Sequence, residues 1–200
     1  MSEAARDLFR MHFEDAIRRR ERGELMAAKV ILGHLLETDP LAAEVHYQLG
    51  IVYELLGREK EAFFRHRKAI SLDPLQAGAH FCLGRLAAAD GHLLEAERSF
   101  QSVIELLPTF TEGHLCRGQA LQGLGRVAEA TAAYTAAIWH DPTCAQAYFL
   151  LGRLQDESGE VAAAISSYRA ALAIAPEHAE AHGHLAELLV IYGDSAENYF

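Results

Sequence analysis

Residues 43–76 read AEVHYQLGIVYELLGREKEAFFRHRKAISLDPLQ, and this stretch recurs along the chain in both directions at a step of 34. All five prolines obey the step, at Pro40, Pro74, Pro108, Pro142 and Pro176. Glycine follows it at Gly23, Gly57, Gly91, Gly125, Gly159 and Gly193, and a second glycine column runs Gly50, Gly84, Gly118 and Gly152. Ala28, Ala62, Ala96, Ala130 and Ala164 make a third column. Self-similarity at a fixed period of this length is the signature of a repeat array.

Each column has a physical task. Proline cannot continue a helix, so Asp39-Pro40, Asp73-Pro74 and Asp141-Pro142 close a unit just past its second helix. The Gly57 column lies midway between prolines, where a residue tolerant of positive φ ends the first helix and turns the chain. The Gly50 column falls inside the first helix, where glycine costs about 1 kcal/mol relative to alanine. Close approach of a neighbouring helix is the expected compensation. The pattern predicts helices over 4–22, 24–38, 43–56, 58–72, 77–90, 92–106, 111–124, 126–140, 145–158, 160–174 and 179–192. Helix pairs of this kind cannot bury their apolar faces alone and stack one-dimensionally, with capped ends. The expected fold is therefore all-α, an α-solenoid of stacked antiparallel helix pairs forming one array over 1–200. Residues 9–42 are a divergent repeat, 43–76, 77–110, 111–144 and 145–178 are regular, 179–193 cap the array, and 194–200 form a tail.

These residues resemble the tetratricopeptide repeat (TPR) family, whose pattern is a large residue, Leu-Gly, a tyrosine, an alanine, an aromatic and a closing proline. Residues 43–76 offer His46, Leu49-Gly50, Tyr53, Ala62, Ala69 and Pro74. The next copies give Leu83-Gly84, Ala96, Phe100 and Pro108, then Gly118, Ala130, Tyr134, Ala137 and Pro142, then Tyr148, Leu151-Gly152, Ala164, Tyr168, Ala171 and Pro176. The end units depart, with Ala16 and Ala186 at the glycine place. The resemblance implies a right-handed superhelix with a concave groove that binds protein segments.

A helical wheel splits the helix over 43–56 into two stripes. His46, Leu49, Gly50 and Tyr53 make the packing set, and Glu44, Tyr47, Ile51 and Glu54 lie about 120° round. The resemblance implies that the second stripe lines the groove. Through the array that stripe reads Phe13 and Ile17; Tyr47, Ile51 and Glu54; Phe81, Arg85 and Ala88; Leu115, Gln119 and Gln122; Phe149, Arg153 and Asp156; Gly183, Glu187 and Val190. Its aromatics suit an apolar helix or extended peptide, with Arg85 and Arg153 orienting acidic groups. The same rings could instead pack between adjacent first helices, and both readings stand at this point.

Two ligand modes of the resembled family are disfavoured. A carboxylate clamp of lysines and asparagines would need donors where this chain has Tyr47, Ile51, Cys82, Glu112 and Cys116. A backbone-holding asparagine ladder would need asparagine where the column reads Glu14, Gln48, Cys82, Cys116, Leu150 and His184, and Asn198 is the one asparagine of the chain.

Composition narrows the function further. The formal charge is -10, and the acidity is uneven: residues 1–76 carry 12 Lys+Arg against 13 Asp+Glu, and residues 77–200 carry 6 against 15. That opposes nonspecific binding to nucleic acid or anionic membrane and favours a neutral or basic partner. Apolar runs fall short of a membrane span, and no signal peptide opens the chain, so a cytoplasmic location is expected. Cys82, Cys116 and Cys144 are odd in number and lack Cys-x-x-Cys spacing, so neither a disulfide framework nor a thiolate metal site is expected.

Histidine runs at the repeat step in His12, His46, His80, His114 and His182, with Tyr148 interrupting. Equivalent residues of stacked helices stand roughly 10 Å apart, so one column cannot share a zinc ion. Ring filling of the large-residue slot is the expected role, with acid sensitivity as the alternative. His178, His182 and His184 cluster without a completing ligand set. Arg18-Arg19-Arg20-Glu21-Arg22 reads as a solvated helix end. Phosphate loops, nucleophile elbows and catalytic carboxylate pairs are missing.

The expected function is thus a non-catalytic adaptor, without cofactor or metal, that binds a protein or peptide segment. Its expected groove residues are Tyr47, Ile51, Glu54, Phe81, Arg85, Leu115, Gln119, Phe149, Arg153 and Asp156. The array stops after one helix of its last unit, which raises the alternative of a recognition module in a larger glycosyl- or methyltransferase. Self-assembly through the C-terminal helix and Tyr199-Phe200 is the third reading.

Overall fold

A computed structural model of the chain describes residues 2–196, with side chains as far as Tyr192. Among the described residues the structure is eleven α-helices and no strand. The chain divides into two compact units, Met1–Leu106 and Leu107–Phe200. The first holds α1 (Glu3–Glu21), α2 (Leu25–Thr38), α3 (Ala43–Leu55), α4 (Glu59–Leu72), α5 (Ala77–Ala89) and α6 (Leu93–Leu106). The second holds α7 (Thr111–Gly123), α8 (Val127–His140), α9 (Ala145–Glu157), α10 (Val161–Ile174) and α11 (Ala179–Ala196). Within each unit every helix packs on the next in the chain, which is the α-solenoid pattern.

Sequence chemistry sets each turn. Gly23, Gly57, Gly91, Gly125 and Gly159 all have positive φ, as at Gly57 with +69°. There the Gly57 N–H donates to the Glu54 carbonyl at 2.9 Å and the Arg58 N–H to the Tyr53 carbonyl at 2.8 Å, which satisfies carbonyls left open by the end of α3. The Asp-Pro pairs do complementary work. Asp39, Asp73 and Asp141 are extended C-caps, and each carboxylate accepts the backbone N–H two residues on, at Leu41, Leu75 and Thr143, 2.9–3.0 Å away. The intervening proline has no N–H to offer, so the aspartate captures the first donor past it.

Packing follows the columns. Ala28, Ala62, Ala96, Ala130 and Ala164 are fully buried, letting paired helices approach closely. One core cluster runs through α1, α2 and α3 around Leu32, Leu35, Leu49 and Val52. Another fills the second unit around Leu121, Tyr134, Leu154, Ile165 and Tyr168. Each such side chain contributes about 1.5–3 kcal/mol on burial.

The last helix departs from expectation. Gly193 does not end it: α11 continues to Ala196, so the segment expected as tail from Asp194 begins in helix. Residues 197–200, and with them the expected contact of Tyr199-Phe200, lie outside the described residues. No helix of the described residues is long and apolar enough to cross a membrane.

Candidate functional site

In the first unit α3 carries Tyr47, Ile51 and Glu54, and α5 carries Phe81 and Arg85. Between these two helices lies a cleft of about 480 Å³ lined by Ile51, Glu54, Leu55, Glu59, Cys82, Arg85, Leu86 and Ala89. Its wall is apolar at Ile51 and Leu86 and carries two acids and one guanidinium. Arg85 Nη2 reaches Glu54 Oε2 at 3.7 Å, with the Arg85 side chain 56% exposed and the Glu54 side chain 15% exposed. Tyr47 is half-buried and tilts over the His66 ring with centroids 5.8 Å apart. Phe81, also half-buried, sits 5.8 Å from Phe100 in the same manner.

The second unit treats the corresponding stripe differently. Leu115 and Phe149 are core residues, 5% and 2% exposed. The Phe149 ring packs against His178 at 4.6 Å and against Tyr168 and His184 at 6.0 Å. Leu115 and Phe149, both expected in the groove, are therefore corrected to core positions, and for the Phe149 ring the packing alternative holds. The turn before α11 and the helix itself cover the Phe149 ring, and an aromatic gains more from that burial than from solvent. Gln119 is exposed, while Arg153 and Asp156 are half-buried. Arg153 Nε lies 3.7 Å from Glu157, and Asp156 lies 4.0 Å from His184 Nδ1.

The glycines inside the first helices find their compensation in rings. A Cβ at Gly50 would stand 2.5 Å from the His66 ring, and one at Gly152 would stand 2.9 Å from Tyr168. Phe100 and Tyr134 cover Gly84 and Gly118 in the same way. One residue of the second helix therefore lies flat on the glycine of the first. His66 takes that place in 43–76, fully buried, where the later repeats use Phe100, Tyr134 and Tyr168.

That exchange builds a polar cluster the sequence reading missed. His66 Nε2 is 2.7 Å from Glu54 Oε1, and Glu54, His66 and Cys82 bring one ligand-type atom each to within 4.8 Å of one another. Burial pushes the Glu54 carboxyl up, but His66, the Cys82 thiol and Arg85 together hold it below the usual carboxylate value. Burial first, then the Glu54 charge, pushes the Cys82 thiol up to about 12, so it is protonated and donates to the carboxylate. The missed signal was the column Leu32, His66, Phe100, Tyr134 and Tyr168, in which His66 is the one imidazole.

The regular histidine column has a separate task. His46, His80, His114 and His182 each place Nε2 2.7–3.1 Å from the carbonyl oxygen of the proline six residues earlier. Their N–H groups donate to carbonyls of the turn that precedes the helix. His46 Nδ1 in turn accepts from Arg65 Nη1 at 3.2 Å, which fixes the tautomer. In the C-terminal cluster the rings diverge: His182 is committed to Pro176, His178 accepts from the Ala181 N–H, and His184 stacks on Tyr168. In the arginine run Arg19 stays at the surface, bonded to Asp15 at 2.8 Å and Glu24 at 2.9 Å, whereas Arg20, expected in a solvated helix end, is mostly buried and donates to Gln48 of α3.

Comparison with known proteins places this architecture. No curated protein matches the chain. Among solved structures, YrrB, a TPR protein with an unusual peptide-binding site, is 25% identical with a TM-score of 0.80, over 86% of this chain and 89% of that one. The 41-end form of MamA from Desulfovibrio magneticus RS-1 is 18% identical with a TM-score of 0.78, over 86% and 97%. PilF of Pseudomonas aeruginosa is 19% identical with a TM-score of 0.80, over 98% and 90%. Two tetratricopeptide repeat family models match residues 43–74, 116–179 and 156–197. These matches span more than half of the residues, and with helix pairs, turn glycines and ring-on-glycine packing at the same period, the chain belongs to the tetratricopeptide repeat family.

Proposed function

We propose that this protein is a non-catalytic cytoplasmic adaptor that holds a peptide or helical segment of a partner protein, with the α3–α5 cleft as its principal contact. Residues 9–42 serve as a divergent opening repeat, 43–178 as four regular repeats and 179–193 as the capping segment. The observation that carries the reading is the cleft itself, about 480 Å³ with an apolar wall at Ile51 and Leu86 beside Arg85, Glu54 and Glu59. An apolar side chain of the partner seats between Ile51 and Leu86, an acidic group meets Arg85, and a basic group meets Glu59. Gln119, Arg153 and Asp156 offer polar contacts on the second unit. The resemblance to YrrB, a TPR protein with an unusual peptide-binding site, supports a peptide as the ligand class. Tyr47 and Phe81, packed on His66 and Phe100, brace the helices that carry the cleft, while Phe149 belongs to the core of the second unit.

The test is selection of a displayed peptide library on the full chain, followed by affinity measurement on an Ile51→Ser, Arg85→Ala double variant. Selected peptides should lose at least about tenfold in affinity while the melting temperature stays near that of the native protein. Equal affinity in the variant sinks the cleft as the site.

A second reading, self-association through α11, is favoured by Val190, Ile191 and Tyr192, which are 86%, 60% and 43% exposed. Consecutive exposed apolar side chains of this kind offer surface for association. Light scattering over a concentration series decides it, and a strict monomer at high concentration removes it.

A further inference from the structure

We propose that Glu54, His66 and Cys82 form a binding site for a zinc-class divalent cation, held between the α3/α4 hairpin and α5 at the edge of the α3–α5 cleft. The three ligand atoms come from three helices of the first unit and lie within 4.8 Å of one another. Imidazole, thiolate and carboxylate together are the nitrogen, sulfur and oxygen set that suits Zn²⁺ or Co²⁺ rather than Mg²⁺ or Ca²⁺. With bonds of about 2.0–2.3 Å, tetrahedral donors stand roughly 3.3–3.8 Å apart. The His66–Glu54 pair at 2.7 Å opens slightly as the cation inserts, and Cys82 closes on it. Glu54 and Cys82 line the cleft, so an ion enters from solvent and a water completes the fourth position. On binding, the Cys82 thiol gives its proton to solvent, and thiolate and carboxylate together balance the dication. Arg85, 3.7 Å from Glu54 and mostly exposed, is free to turn outward.

Two independent observations support the site. As a mere ring filler His66 is costly: it is fully excluded from solvent and its Nδ1 has no hydrogen-bond partner. A buried unsatisfied polar atom costs about 1–3 kcal/mol, which the phenyl ring used at Phe100 avoids. The equivalent junctions also lack the chemistry. The same three places hold Arg20, Leu32 and Gln48 at the start of the chain and Gln122, Tyr134 and Leu150 in the second unit. Asp156, Tyr168 and His184 supply two ligand types, 4.0 Å apart. Three ligand types converge at the α3/α4/α5 junction alone among the described residues.

The test uses the full chain with Cys116 and Cys144 changed to serine, leaving Cys82 as the sole thiol, titrated with Co²⁺ and then with Zn²⁺. One equivalent of Co²⁺ should produce a thiolate-to-cobalt charge-transfer absorption that Zn²⁺ abolishes, and Zn²⁺ should raise the melting temperature. His66→Phe copies Phe100 of the next repeat and Cys82→Leu copies Leu150 two repeats on, so both should preserve the fold. Each should weaken Co²⁺ binding by more than about tenfold and remove the Zn²⁺-dependent rise. Glu54→Gln, which copies Gln122, is the further variant should either fail to fold. Absence of the charge-transfer band, or binding of equal strength in the three variants, overturns the site. The peptide reading is tested separately, because Ile51→Ser and Arg85→Ala leave all three ligands in place.

Discussion

The junction of α3, α4 and α5 in the first unit and that of α7, α8 and α9 in the second have the same frame and different contents. In both, a glycine of the first helix lies under a ring of the second, and a side chain one turn on reaches the ring's polar atom. In the second unit that ring is Tyr134, whose hydroxyl donates to Gln122 Oε1 at 3.0 Å, with Leu150 closing the apolar side. In the first it is His66, bonded to Glu54 with Cys82 alongside. The second junction pairs two neutral groups, and burial first, with Glu157 and Cys116 adding and Arg153 opposing, pushes the Tyr134 phenol up to about 12. The first concentrates a carboxylate, an imidazole and a thiol beside an open cleft. The lesson is that glycine and helix spacing fix where a ring must go, whereas the chemistry at the junction is free to vary from repeat to repeat.

Truncating a ring gives the largest effect and tests this frame. Phe149→Ala and Tyr134→Ala each remove a fully enclosed ring and should cost about 3–5 kcal/mol in urea unfolding. Phe81→Ala, at a half-buried site, should cost clearly less. Equal costs at Phe81 and Phe149 would mean that the two units treat the stripe alike, contrary to the burial difference between them.

Glycine substitutions should give intermediate effects of opposite sign. At Gly50 a Cβ would stand 2.5 Å from the His66 ring, so Gly50→Ala should cost about 1–3 kcal/mol by overpacking, despite alanine's better helix propensity. Gly33 lies within α2 and has nothing within 4 Å of its Cβ position. Gly33→Ala should therefore stabilise by up to about 1 kcal/mol. Thermal melts of the two variants check the pair, and stabilisation by both would mean that the ring does not rest on the glycine.

The smallest effect expected is with pH. Burial first, with Arg65 and Lys68 adding and the bond to Pro40 opposing, holds His46 below the usual imidazole value. The unfolded chain, with an imidazole near about 6.5, therefore takes up the proton at higher pH than the folded one. This contribution is complete above that value and is lost as the pH falls through the window beneath it. Melting between pH 7.5 and 5.5 should show a decline that is smaller in His46→Tyr, the residue found at Tyr148. An identical decline in that variant would assign the sensitivity elsewhere.

Much of this was open to a reader of the sequence. The prolines and the Gly57 column place helix ends within a residue or so, because proline's missing N–H and glycine's freedom at positive φ are local properties. The reading failed at Gly193, which sits inside α11: the glycine at this step stays helical instead of ending the helix. It also treated Tyr47, Phe81 and Phe149 as equals. Phe149 differs because His178 and α11 cover it, and that covering depends on neighbours about thirty residues away in the chain.

The amino-acid order alone determined the repeat, the helix pairs and the family, since these follow from period, backbone chemistry and apolar spacing. Tertiary packing alone decided which members of the ligand stripe kept a solvent face, and that Glu54, His66 and Cys82 meet at one point. Those three lie on separate helices, and only the docking of the α3/α4 hairpin against α5 turns a 34-residue periodicity into distances of a few ångströms.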